Sequence, residues 1–479
     1  MNIIRSLIAL VIIGGLVLTP SVTTTAAATA SVSGVVIDAD SGEPVVGATV
    51  SVAGISNTSA GDGSYLISGV TAGTHDIVGS RAGFRTRNLN SYPIAAGATI
   101  TQNIALTPDS IEVGSVRGYV VDALSENDLS GIRVELADGL VVHSRGYTRY
   151  VIYDVPVGKT YNLTASAYSG YHARTVAGIR TGQGYGFNPP MSETDYTHID
   201  FALTPDWAEV GSISGVVTSA STAEPIAGAR VTAGFGLIAV TAADGSYNLD
   251  NLPYDTYYLQ VYRSGYECAT AEIAVAGGTA QDFSLQPNAS AGWVKGYLRN
   301  IVNSSKINDA LVTIDGKTVQ TQRQPSYTAQ GYYCFYGISP GGHTLQASAE
   351  GFLTRTTNAV SVSHQEGTST GMTLTPVGTP AVTLSGTVKS SVTGSPLGQA
   401  RVWAADDLVV LADGSGVYTI PDLPTGKYFD LRASYPGYRE RLINALPTGN
   451  LEGITITQNI ALTPDSIEVG SVRGYVVDA

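Results

Sequence analysis

Side chains able to do chemistry are sparse in this sequence of 479 residues and rarely stand together. A hard cation needs several oxygens in one turn, and Asp38, Asp40 and Glu43 crowd such a turn. The cluster does not recur where the same turn returns at 219–224, 300–303 and 389–391, so these acids read as partners for turn N–H groups. Six histidines, at 75, 143, 172, 198, 343 and 364, share no metal spacing with Cys or Glu. His364-Gln365-Glu366 is not the His-x-x-Glu of a zinc peptidase. Gly414-Ser415-Gly416 lacks the strand–turn–helix frame of a nucleophile elbow. No catalytic residue, metal ligand or cofactor is therefore expected.

Binding chemistry has more to offer. Tyrosine is in excess, 27 residues against 8 Phe and 3 Trp, and its rings pack well against sugar faces or partner proteins. Loops on a rigid scaffold are where binding usually resides. Tyr185 and Phe187 in the insertion Gly182–Pro190, with Tyr254 and Tyr257 in a Tyr-rich stretch, are the candidate ligand contacts, for glycans or other surface proteins. Asn57, Asn162, Asn288 and Asn303 begin N-x-S/T sequons and are candidate glycosylation sites. Cys268 and Cys334 read as two separate buried thiols rather than one bridge.

The composition bounds the scaffold. A net charge of −13 argues against nucleic acid, which needs clustered Lys and Arg. A hydrophobic content of 43% is too high for a disordered chain, and two cysteines exclude a disulfide-stapled one. Arg5, the apolar run Leu7–Leu18 and Ala28-Thr29-Ala30 form a cleavable export signal over residues 1–30, too short to span a bilayer comfortably. No later stretch reads as a transmembrane segment, so the expected location is extracellular or at the cell surface.

The rest is one module repeated. A glycine-centred opening strand returns at Gly34, Gly118, Gly215, Gly296 and Gly386, with spacings of 84, 97, 81 and 90 residues, and again at Gly474. Within each unit follow a Pro-x-x-Gly-Ala-x-Val element (Pro44–Val50), an Asp-Gly turn leading to Tyr (Asp62–Tyr65) and a Gly-aromatic pair (Gly83-Phe84). A strand ending in Leu (Ile104–Leu106) closes it. Alternating Val, Ile, Thr and Tyr with frequent turn signals predicts antiparallel β-sandwiches of about seven strands. Units two and four replace the Asp-Gly-Ser-Tyr turn by Arg145-Gly146-Tyr147 and Gln330-Gly331-Tyr332. The glycine before each aromatic is expected to supply a positive φ.

These motifs resemble the carboxypeptidase regulatory-like domain family. The resemblance implies an all-β chain of five tandem seven-stranded, Greek-key-type, transthyretin-like (prealbumin-like) sandwiches. The expected units are 31–108, 115–206, 212–287, 292–376 and 382–464, with a truncated sixth opening at 465–479. A sister family, the collagen-adhesin B-type domain, crosslinks a buried Lys to an Asn. Lys295 alone sits in an opening strand, so no such bond is expected. Ile100–Ala123 is identical to Ile456–Ala479, which implies duplication of a four-unit block and a chain that is a piece of a longer array. Its last strand, left unpaired, is an edge able to pair with a neighbouring subunit.

Spacers of about seven residues containing Pro, such as Thr107–Glu112 and Thr204–Glu209, are too short for free tumbling. The reading is a non-catalytic, structural or adhesive stalk at the cell surface. The alternatives are a carbohydrate- or protein-binding module array, and the accessory part of a larger exported peptidase.

Overall fold

The computed structural model describes residues 29–136, 139–144, 149–167, 169–182, 198–321, 330–405 and 408–467. Every regular element among them is a strand, and no described helix is long and apolar enough to cross a membrane. Most of the expected leader and the stretch from 468 onward lie outside the described residues; Ala30 already opens the first strand, opposite Val70.

Unit one contains β1 (Ala30–Asp38), β2 (Thr49–Val52), β3 (Ile55–Thr58), β4 (Ser64–Val70), β5 (Gly73–Ser80), β6 (Arg87–Ile94), β7 (Thr99–Thr101) and β8 (Ile104–Leu106). One sheet runs β3-β2-β5-β6 and is antiparallel throughout. The other pairs β4 antiparallel to β1, with β7 and β8 parallel to β1 on its far side. β7 and β8 are one strand interrupted at Gln102-Asn103, so the unit has seven strands. Their parallel pairing is a feature that residue alternation, which reports faces and not partners, cannot show. Units three, four and five repeat both sheets.

The interruption explains the opening glycine. A β-carbon at Gly34, Gly118, Gly215, Gly296 or Gly386 would lie 1.7–2.1 Å from the carbonyl oxygen of Gln102, Ile199, Gln281, Thr370 or Gln458. Those same carbonyls accept the hydroxyls of Tyr65 (2.5 Å), Tyr150 (2.6 Å), Tyr247 (2.7 Å) and Tyr418 (2.6 Å), and that of Tyr333. Thus Tyr150 fills the core position in unit two, and Tyr333, not Tyr332, fills it in unit four; Arg145-Gly146-Tyr147 lies outside the described residues. Tyr332 is one residue off, and one residue in a strand turns a side chain to the other face. Gly83, Gly170, Gly265, Gly351 and Gly437 all take φ between 76° and 86°, as the Gly-aromatic motif predicts.

Each unit closes its own apolar interior, and neighbouring interiors exchange residues. Val141 of unit two packs in the core of unit one, and Ala105 of unit one packs in the core of unit two. Val121 and Ala202 join unit three, and Cys268 of unit three joins unit four. The units are therefore docked to one another rather than merely strung in line.

Candidate functional site at the joints between units

Three of the four joints are built on a buried arginine. Four residues after the left-handed glycines at 83, 170 and 351 stand Arg87, Arg174 and Arg355, each at the start of the outer strand β6 or its counterpart. Each lies opposite a small residue, Gly79, Ala165 or Ala347, which leaves room for the guanidinium. They are only 7%, 2% and 7% exposed. Their partners are carbonyls. Arg87 donates to Tyr153 O (2.6 Å) and Ala105 O (3.1 Å), Arg174 to Asn251 O (3.2 Å) and Ala202 O (3.0 Å), and Arg355 to Pro421 O (3.2 Å).

A threonine completes each clasp. The buried hydroxyls of Thr107 and Thr375 donate to Asp154 O (2.5 Å) and Asp422 O (2.6 Å), and that of Thr204 to Asn251 O. Asp154, Asn251 and Asp422 have φ of 54°, 50° and 58°, at a shift in strand register. The bulge turns their carbonyls out of the ladder and toward the preceding unit. Burial pulls the Arg87 and Arg355 pKa values down to about 10, opposed by Asp154 and Asp422, and lowers that of Arg174. All three remain charged at neutral pH, so the clasp consists of charge-assisted hydrogen bonds in a dry site.

The joint between units one and two adds an aromatic contact, Tyr92 edge-on to His143 at 5.0 Å. Burial, with help from Arg133, pushes the His143 pKa down to about 4. In the joint between units four and five, Thr357 donates to Val409 O (2.6 Å) and Leu411 N donates to Asn358 Oδ1 (3.0 Å).

The joint between units three and four is different. Ala269 stands where the arginine would be and Gln286 where the threonine would be. Instead Cys268 N donates to Gly337 O (3.0 Å), at the same left-handed turn position with φ 66°. Glu267 accepts from the Ser339 hydroxyl and from Asn288 Nδ2 (3.1 Å), with Lys317 Nζ 4.0 Å away. Ser339 above all, with Asn288 and Lys317, holds this carboxyl below its ordinary range, against the opposing effect of burial. Gln260 donates to Cys334 O (3.3 Å), and the Tyr262 and Tyr336 rings meet at 5.1 Å. Beside them runs a groove of about 960 Å³ lined from unit two to unit five, among others by Arg230, Tyr258 and Tyr262 of unit three and Lys295, Tyr297 and Tyr336 of unit four. Burial drives the Cys268 thiol up to about 12 and that of Cys334 to about 11, which holds both as protonated, slowly reacting thiols at neutral pH. Both are free.

The residues singled out from sequence are scattered. Tyr257 is buried, its hydroxyl on Pro253 O (2.7 Å), while Tyr254 is exposed. Both Tyr257 and neighbouring Tyr258 line the groove; Tyr185 and Phe187 lie outside the described residues. Asn57 donates to Leu66 O (2.8 Å), Asn162 accepts from Gly178 N (3.2 Å) and Asn303 accepts from Ser305 N (3.0 Å). Asn288 is engaged in the unit three–four joint. Asp38 accepts the N–H groups of Asp40 and Ser41, and Asp40 pairs with Lys159 at 2.7 Å. Lys295 lies 4.6 Å over the Trp293 ring. No group of three or more His, Cys, Asp or Glu able to hold a metal is found among the described residues. The arginine clasp was missed. Its signal was present as Arg four residues after the glycine in four units, hidden among exposed polar neighbours.

No curated protein matches. Among solved structures, the Bacillus anthracis TIE protein is 14% identical, covers 81% of this chain and 72% of its own, and has a TM-score of 0.16. A streptococcal ancillary pilin is 9% identical over 54% of this chain and 100% of its own (TM-score 0.17). A putative carbohydrate binding protein from Bacteroides uniformis is 14% identical over 31% and 98% (TM-score 0.14). The model of the carboxypeptidase regulatory-like domain matches residues 31–107, 212–286 and 383–463, that is, units one, three and five. Units one, three and five match the carboxypeptidase regulatory-like domain, and the same strand pairing and glycine–tyrosine core recur in the units between them.

Proposed function

We propose that the chain is an exported, non-catalytic spacer at the cell surface, a stalk whose stiffness resides in its joints. The observation that carries this reading is the clasp. A freely jointed array would not bury a guanidinium between successive units, because an uncompensated buried charge is costly. In three joints the arginine is buried between two units and takes part of its hydrogen bonding from carbonyls of the next one. Small-angle scattering tests it. The chain from Ser31 onward is expected to scatter as one stiff body, with about 30 Å per unit along its path. A broad distribution of dimensions, unchanged when Arg87, Arg174 and Arg355 are all replaced by Met, would overturn the reading. Export is tested by sequencing the N-terminus of the secreted chain, expected at Ser31.

A second reading attaches to the groove beside units three and four. Tyrosine rings beside Arg230 and Lys295 suit the apolar face and polar rim of a sugar. Titration with neutral and uronate oligosaccharides followed by intrinsic fluorescence tests it, with Tyr258→Ala expected to weaken any binding at least tenfold.

A further inference from the structure

The first sheet of unit four carries side chains that its counterparts lack. Along its opening strand Gly292–Asn300, the residues turned away from the core are Trp293, Lys295, Tyr297 and Arg299, ring and cation in alternation. Ser33 and Val35 hold the places of Lys295 and Tyr297 in unit one, Ser214 and Val216 in unit three, and Ser385 and Thr387 in unit five. On the paired strand Tyr332–Ile338, Tyr332 meets Tyr297 at 5.4 Å and Tyr336 stands opposite Trp293. Those places hold Ser64 and Ser68 in unit one, and Ser246 and Asp250 in unit three. The sandwich closes without rings on this outer face in units one and three, so the fold alone does not require them.

Neighbouring units bring cations to that face. Arg230 of unit three, opposite Tyr262 in its own sheet, and Arg401 of unit five line the groove with Lys295, Tyr297 and Arg299. Arg401 opens the second strand of its unit, as Arg133 does in unit two, where Glu135 two residues on accepts its guanidinium at 2.7 Å. In unit five the residue two on is Trp403, and Arg401 lies 5.3 Å over its ring. Burial lowers the Arg401 pKa with no carboxylate opposing it, and its Nε is buried without a hydrogen bond among the described residues. A partly desolvated guanidinium with no acid beside it gains from an anionic ligand. Carboxylates line the groove too, but mostly elsewhere. Glu126 and Asp200 belong to unit two, and Asp255 begins the strand Asp255–Tyr262, about 23 Å of extended chain from Tyr262. Asp309 is the acid from unit four.

We propose that the groove takes an acidic glycan, with uronate carboxylates on Arg401 and Lys295 and hydroxyls toward Asp200 and Asp255. The mixture of charges selects this class. A polyanion charged at every residue, such as a nucleic acid, would meet the acids along much of its path. A glycan that sets carboxylates among hydroxyls satisfies both signs: carboxylates accept from the cations, ring faces lie on tyrosines, and hydroxyls donate to the acids. The inference rests on the sugar reading of the groove and deepens it, making charge the basis of selection and Arg401 its anchor.

The test titrates the full chain by calorimetry with hexamers of galacturonate, mannuronate and hyaluronan, and with their methyl esters, which keep every ring and remove the charge. At least one acid hexamer is expected to bind roughly tenfold or more tightly than its ester, with an affinity that falls as salt rises. Arg401→Met is expected to abolish that preference and leave ester binding unchanged. Arg401→Lys, which keeps the charge, retains part of it, and Arg439→Met, at an exposed cation of unit five outside the groove, changes neither form. Lys295→Met repeats the measurement in unit four, independently of the folding of unit five. Esters bound as tightly as acids, or a preference indifferent to both Arg401→Met and Lys295→Met, overturn this inference and leave the sugar reading standing. No binding of either form overturns both. Oligothymidylate or polyglutamate bound more tightly than every uronate hexamer overturns the glycan as the occupant.

Discussion

The arginine-clasped joints and the joint between units three and four solve one problem in two ways. Both must satisfy a carbonyl turned out of its ladder by a left-handed residue four positions after the core tyrosine. The clasped joints use a guanidinium and a threonine hydroxyl, both buried. The third joint uses a backbone N–H and surrounds it with a half-exposed network around Glu267. A guanidinium reaches several carbonyls at once, so it draws the units into close contact. A single N–H reaches one, and it lies beside a tyrosine-lined groove whose walls extend from unit two to unit five. The same turned-out carbonyl is thus met in two different ways along one chain.

The comparison can be broken most forcefully at Arg174, the least exposed of the three. Arg174→Met strands the carbonyl of Ala202 and leaves that of Asn251 to the Thr204 hydroxyl alone, and an unpaired buried acceptor costs about 1–3 kcal/mol. Hydrogen exchange in residues 249–253 is expected to accelerate by roughly two orders of magnitude, while the interiors of units two and three stay protected. Equal loosening of both cores would mean that the clasp stabilises units rather than joints.

Transplanting the clasp sharpens the contrast. Ala269→Arg with Gln286→Thr places a guanidinium and a hydroxyl opposite Gly337 O, and the groove is expected to narrow. Alkylation of Cys334 under native conditions should then slow several-fold relative to the parent; an unchanged rate would show that the clasp does not set the spacing.

Acid separates the joints more gently. His143 is held neutral in the joint between units one and two, with a pKa of about 4 against an ordinary 6.5. The docked state binds the proton less readily than the open one. Its stability is therefore full above pH 6.5 and is lost progressively as pH falls through about 4. Scattering or exchange across that window should show this joint opening before the unit two–three joint, and His143→Phe should abolish the difference.

The smallest effect is expected at Glu267. Its lowered pKa contributes stability above the ordinary 4.5 that is lost as pH falls below it. The side chain is 29% exposed, so Glu267→Gln should cost no more than about 1 kcal/mol at neutral pH while removing the acid dependence of that joint. Thermal unfolding at pH 7 and pH 4 checks both.

The fold was legible because its constraints are local. Gly83, Gly170 and their counterparts need a positive φ that a side chain resists, and the opening glycines sit against a carbonyl that excludes a β-carbon. The joints were harder to see. Arg87 and Arg441 occupy equivalent places in near-equivalent strands, yet one is buried and the other exposed. The residue alone does not say whether a neighbour covers it. In the Tyr-rich stretch of unit three, alternation could not tell Tyr257, whose hydroxyl folds back on Pro253, from its neighbours Tyr258 and Tyr262 along the groove.

The amino-acid sequence determined that one β-sandwich unit recurs and where its glycine-dependent turns fall, because glycine sterics and two-residue periodicity act within a few positions of the chain. The tertiary structure alone decided which first strand pairs parallel with which last one, which arginines lose their water and where a recess stays open. Those outcomes depend on groups 66 to 77 residues apart meeting across a joint, and desolvation is a property of the meeting, not of either partner.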